Sequence, residues 1–268
     1  MAVELRTFAL AAALPLVSAG PAAATESATP RRDWLVTAVL GPQFKPAFPG
    51  DDRLRLSPYV RLIIRHPGDP LDFTAPGQSP GIGLLGHGSR FDLGPVVYVQ
   101  SKRADKDVGA PVGEVGLTVE AGGFVQAWLT RQIRLRAEVR RGIGGHNGVV
   151  GALGADAVIR DGDRTIFSIG PRLDWSDARY ERAYFGVTPE VAARTGLLPY
   201  QPGGGVHGVG AAASLFHQFG PVWGFSAYAG YDRLVGAGGV SPIVRGLGSR
   251  NQFSAGIGLA YTFRIRRH

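Results

Sequence analysis

Cysteine is absent from the 268 residues. No disulfide can staple the chain, and neither a thiolate nucleophile nor a cysteine-bound metal is available. Long apolar runs are almost as scarce. The stretch from Phe8 to Val17 is too short to cross a bilayer as a helix, and nothing after it is longer. Ligand-spaced histidines are missing too: His66, His87, His146, His207 and His217 form no metal pair and flank no recognisable nucleophile, and His268 lies in the tail. His207 and His217 are expected on the lipid side of their strand. Asp161-Gly162-Asp163 lacks the acidic spacing of a calcium loop and reads as a hairpin turn. The glycine runs at Gly142 to Gly145 and Gly203 to Gly205 lack the strand-to-helix setting of phosphate loops. These absences leave no expected enzyme activity, cofactor or metal.

The chain opens with a short polar start, the Phe8 to Val17 apolar run and then Ala22, Ala23 and Ala24. That order predicts a secretory signal peptide over residues 1–24, followed by a single exported domain over residues 25–268. Cleavage would remove Glu4 and Arg6 together, so the formal charge of +8 belongs to the exported part. Its arginines are scattered among glycine and apolar residues, without the basic patch or tail of a nucleic-acid binder. Basic side chains lining an interior, or meeting anionic lipid, account for them.

Glycine contributes 40 residues and proline 19, spread through the chain, which argues against long helices. An exported chain without apolar helices can still enter a membrane as a closed barrel. The alternation agrees. Phe253, Ala255, Ile257, Leu259, Tyr261 and Phe263 alternate with small or polar residues. Ile133, Leu135, Ala137 and Val139 alternate with Arg134, Arg136, Glu138 and Arg140, a charged face that no apolar core would accept. The same period sets Arg61 and Arg65, then Glu120, then Arg172 and Asp174, opposite apolar residues. These nine charged residues are the candidate lumen lining.

Strands are predicted at Trp34 to Phe44, Arg53 to Arg65, Leu71 to Ala75, Pro80 to Gly86, Phe91 to Gln100, Gly113 to Leu129, Ile133 to Arg141, Gly148 to Arg160, Arg164 to Ser176, Gly205 to Phe219, Val222 to Arg233 and Arg250 to Ile265. The fold class is all-β: a transmembrane antiparallel up-and-down barrel of about ten to twelve strands, with twelve favoured. Connections alternate between tight turns, such as Thr130 to Gln132, and long loops, such as Asp177 to Gly204. This matches short periplasmic turns and long external loops, with both termini in the periplasm. After Phe263 the chain ends Arg264-Ile265-Arg266-Arg267-His268, a basic departure from the terminal aromatic common in such barrels.

Three stretches carry a family resemblance. Tyr184-Phe185-Gly186-Val187-Thr188-Pro189-Glu190 looks like the YFGVTP segment of the MltA-interacting protein (MipA/OmpV) family. Ser241 to Arg245, with Gly248-Ser249-Arg250-Asn251-Gln252-Phe253, resembles that family's SPIV and GSRNQF stretch. Phe48-Pro49-Gly50-Asp51-Asp52 is similar to its early turn. The match runs through nearly the whole exported part in order and spacing.

Membership implies an outer-membrane barrel. It also implies a scaffold between murein-synthesising and murein-degrading enzymes, so the implied partners are a lytic transglycosylase, a murein synthase and outer-membrane lipid. Read physically, Tyr184 to Pro189 can plug the lumen, dock a partner or order a loop, the last being simplest. Ser249 to Phe253 reads as a turn that starts the closing strand. A small pore with an arginine-rich lumen and a surface adhesin are the other readings.

Overall fold

In the computed structural model, residues 33–86 and 88–266 are described. The expected signal peptide and the last two residues lie outside them, as does His87. Among the described residues, ten strands form where apolar and polar residues alternate: β1 (Trp34–Pro46), β2 (Leu54–Arg65), β3 (Phe91–Gln100), β4 (Thr118–Trp128), β5 (Ile133–Gly144), β6 (Val149–Asp161), β7 (Thr165–Ser176), β8 (Gly205–Gln218), β9 (Trp223–Leu234) and β10 (Asn251–Ile265). They make one antiparallel sheet ordered β2-β1-β10-β9-β8-β7-β6-β5-β4-β3. Apart from β2 and β3, sequence neighbours pair, and β1 pairs with β10, from Trp34 opposite Ile265 to Phe44 opposite Ala255. The sheet is curled. Its convex face carries exposed Leu56, Leu62, Val97, Leu135, Leu153, Ile169, Phe253 and Ile257, as a lipid-facing surface must.

Twelve strands are not found among the described residues: Leu71 to Ala75 and Pro80 to Gly86 form no strand of the sheet, each for its own reason. Leu71 to Ala75 alternates as a strand would, but side chains take its backbone partners. Leu71 N donates to Asp163 Oδ1 at 2.8 Å, Leu71 O accepts from Arg160 Nη2, Phe73 O accepts from Arg134 Nη1 at 3.2 Å, and Ser79 N donates to Glu138 Oε2 at 3.4 Å. Residues 71–79 therefore lie inside the curl. Pro80 to Gly86 then returns along the outer edge of β3, where Ile82 N and Leu84 N donate to Pro95 O and Leu93 O, with a single bridge at Gly81 and Val96. No ladder joins β2 to β3 among the described residues, so the expected closure by backbone pairing is incomplete at this seam.

Tight turns join β4 to β5, β6 to β7 and β8 to β9 at the end where Trp34 and Ile265 lie. At the other end the long connections fold into α1 (Asp105–Val108), α2 (Ala178–Phe185), α3 (Pro189–Thr195), α4 (Gly236–Val240) and α5 (Pro242–Leu247). Their caps are written locally: Asp177 Oδ1 accepts from Arg179 N and Tyr180 N, and Thr188 Oγ1 accepts from Val191 N ahead of Pro189. No helix among the described residues is long and apolar enough to cross a membrane.

Candidate functional site

Three layers fill the interior. At the tight-turn end, Val39, Ile63, Val158, Ile166, Phe216 and Ala260 project inward from six strands and form one buried cluster with Leu71 of the inner segment. Residues far apart around the sheet thus meet across its axis. Phe73 stacks edge-on to Trp128 just beside them, at 6.2 Å.

The middle layer is ionic, and each carboxylate serves two basic side chains. Arg134 Nη2 reaches Asp156 Oδ2 at 2.7 Å and Arg172 Nη2 reaches Asp156 Oδ1 at 2.6 Å. Glu138 receives Arg136 Nε at 2.7 Å and Arg140 Nη1 at 2.8 Å. Glu120 receives Arg140 Nε at 2.8 Å and His146 Nε2 at 3.0 Å. Arg134 is 1% exposed and also lies over the Phe73 ring at 4.3 Å, while Arg136 lies 3.7 Å over Phe124. Arginine forks and shared carboxylates are what allow so much charge out of water, since an isolated buried ion costs several kcal/mol, on the order of its desolvation. Arg172 also serves the backbone, because its Nη1 donates to Ala155 O at 3.3 Å, next to Pro171, which has no N–H for the ladder.

Of the nine candidate lumen charges, Glu120, Arg134, Arg136, Glu138, Arg140 and Arg172 join this network directly. Asp174 is half-buried beside it and lines a cavity of about 170 Å³ with Pro76, Gly77, Gln78, Asp232 and Ser254. Arg65 stands apart, paired with Asp163 at 3.2 Å at the tight-turn end. Arg61 is half-buried on β2 on the same face as Tyr59. Asp156, His146 and Phe124 complete the network without being legible as parts of it in the sequence. Their pairing depends on strand register, for which one strand's pattern holds no signal.

The third layer is the cap, where all three resemblance stretches converge. Tyr184 and Phe185 of α2, Val187, Phe48 of the β1–β2 turn, and Ile243 and Val244 of α5 share one buried core. Phe185 is 0% exposed, and its carbonyl accepts from Ser241 Oγ at 2.7 Å. Val187 bridges to Tyr200. Gly50 N donates to Gln252 Oε1 at 3.1 Å, and Ser249 N to Gly50 O at 3.0 Å, tying the early turn to the start of β10. Arg103 locks the helix end from below: its Nη1 donates to Tyr184 O and its Nη2 to Ala183 O and Gly113 O. Tyr184 to Pro189 thus orders the cap. Ser249 to Phe253 starts the last strand while bracing the turn beside it.

Beneath α2, Glu181 is buried, with Ser176 Oγ donating to its Oε1 at 2.5 Å and His207 Nδ1 3.6 Å from the same oxygen. Burial pushes its carboxyl up to about 7; the Asp177 charge adds to this and the Ser176 hydrogen bond opposes it. Burial likewise raises the Tyr184 phenol and lowers the Arg103 guanidinium. Ser176 and His207 both meet the carboxylate and not each other. His207 departs from the lipid-side placement expected of it. Register shifts between Asp174 and Trp175, which pair with Gly208 and Val206, so His207 is the extra residue and turns inward to stack on Tyr180 at 5.2 Å. Among the described residues no three His, Asp or Glu side chains gather as metal ligands.

An antiparallel sheet curled around an ionic interior, apolar outside and helically capped at one end, has the construction of an outer-membrane β-barrel protein. The model of the MltA-interacting protein MipA family matches residues 38–263, and the chain belongs to that family. Among solved structures it is similar to the outer membrane protein OprG from Pseudomonas aeruginosa, at 9% identity over 86% of this chain and 95% of that one, with a TM-score of 0.26. No curated protein matches it.

Proposed function

We propose that the protein is a non-conducting scaffold of the outer membrane, whose two ends are its working surfaces. The reading rests on the filled lumen: an apolar layer, an inner segment pinned by Arg134, Glu138, Arg160 and Asp163, and a capped mouth together occupy the interior. The family name describes interaction with MltA. For this chain the partner proposed is a lytic transglycosylase of that class, with a murein synthase, docking at the tight-turn end, where both described termini lie. That end is periplasmic in this reading, and residues 1–24 serve as the cleaved export signal.

Planar-bilayer recording tests the sealed lumen, and binding tests the partner. The purified protein should give no regular conductance steps; steps altered in the Arg134→Ser, Arg136→Ser double variant would establish an arginine-lined pore instead. Immobilised in mild detergent, it should retain a purified lytic transglycosylase that an unrelated barrel does not. Failure to retain it removes the scaffold reading.

A further inference from the structure

The outward row of β9 runs Trp223, Phe225, Ala227, Ala229, Tyr231 and then Arg233. The row opposite it on β10 begins with Asn251 and Phe253, pairing Asn251 with Arg233 and Phe253 with Tyr231. The Tyr231 and Phe253 rings lie 4.9 Å apart, and Phe253 is 54% exposed. An aromatic pair at the end of an apolar row, half-buried Tyr231 beside exposed Phe253, marks the depth where acyl chains give way to headgroups.

Just above it, Asn251 Oδ1 accepts from Tyr231 Oη at 2.9 Å and from Arg233 Nη1 at 2.8 Å. An amide oxygen orients a guanidinium without neutralising it. Arg250, the next residue back, is also exposed, and its stem lies over Gly239. The contrast with the interior is sharp: there each network arginine meets a carboxylate, whereas Arg233 and Arg250 have no acidic partner among the described residues. Arg250 lies opposite inward-facing Leu234 and so off the outward row, which leaves Arg233 as a held, uncompensated cation at headgroup depth, complementary to phosphate, which guanidinium forks bind bidentately.

We propose that Arg233, with Asn251 as the orienting residue and Tyr231 and Phe253 as the platform beneath, binds the phosphate of an outer-leaflet glycolipid of the lipid A type. The acyl chains would lie along Phe253, Ala255 and Ile257. The site rests on the capped end facing outward, as in the function proposed above.

The test is titration of the folded protein in detergent with three lipids: bisphosphorylated lipid A, its dephosphorylated form and phosphatidylglycerol. Wild type should bind the first. The Arg233→Gln variant should bind it at least about tenfold more weakly, and phosphate removal should cost wild type a similar factor. Arg131→Gln, in a tight turn at the other end, should bind as wild type does. A gel shift on heating verifies folding, and the Asn251→Ala variant, which releases the guanidinium, carries the test if Arg233→Gln misfolds. Unchanged binding of both phosphorylated lipids in the variants overturns the site. Loss of phosphatidylglycerol alone, with lipid A indifferent, also overturns the proposal, but by placing this rim in the inner leaflet and so faulting the orientation.

Discussion

Within the barrel, single side chains follow a rule of shared carboxylates, and the rule has a measurable cost. Among the described residues Asp156 is the acid that ion-pairs with both Arg134 and Arg172. Asp156→Asn should therefore strand two buried cations and cost about 3–5 kcal/mol, read as a lower urea midpoint for the folded band on unheated gels. Asp52→Asn, at an exposed carboxylate, should shift that midpoint by under about 0.5 kcal/mol; equal midpoints would refute the rule. Glu181 sets a pH dependence of the opposite sign from the usual paired carboxylate. Its folded value lies near 7, above its ordinary 4.5, so the native state holds a proton there that the unfolded chain has released. Cap stability is then full below about 4.5, falls as pH rises toward 7, and is flat beyond. Amide protection in α2, taken relative to the intrinsic base-catalysed exchange rate, should fall between about pH 4.5 and 7 in wild type, and Glu181→Gln should abolish that fall. The two-residue period puts Arg134, Arg136, Glu138 and Arg140 on one face from sequence alone; which acid each one meets is a matter of neighbouring strands.

Whole elements show where periodicity stops being informative. Leu71, Phe73 and Ala75 have the spacing of a strand and the burial of one face, yet their backbone is held by Asp163, Arg160 and Arg134 side chains. Alternation reports an extended chain with one dry side, and a lumen provides that as well as a sheet does. Because the protein lacks cysteine, Ala75→Cys can test the placement directly. Ala75 is buried and Arg131 is exposed in a turn. A membrane-impermeant maleimide should label Arg131→Cys readily and leave Ala75→Cys unreacted until the fold is opened with urea. Rapid labelling of both would put residues 71–79 outside the lumen. His207 shows the same limit at a smaller scale, since one bulged residue inverts the face that simple counting assigns to it.

The whole molecule has two unlike ends, and the scaffold reading depends on which faces out. With the capped end external, Arg194→Cys on exposed α3 should label on intact cells, whereas Arg131→Cys should label only after the outer membrane is permeabilised. The reverse pattern would invert the assignment. The sequence by itself determined the extended character of the chain, its apolar and charged faces, most strand limits and the alternation of tight turns with long connections, because each depends on residues a few positions apart. Only the tertiary structure decided that, among the described residues, ten strands make the sheet and the seam between β2 and β3 lacks a ladder, that residues 71–79 lie in the lumen, and that Phe48, Phe185 and Val244 form one cap. Those outcomes depend on which surfaces meet once the sheet curls, and curvature and register arise from pairing between strands, which no local pattern along the chain records.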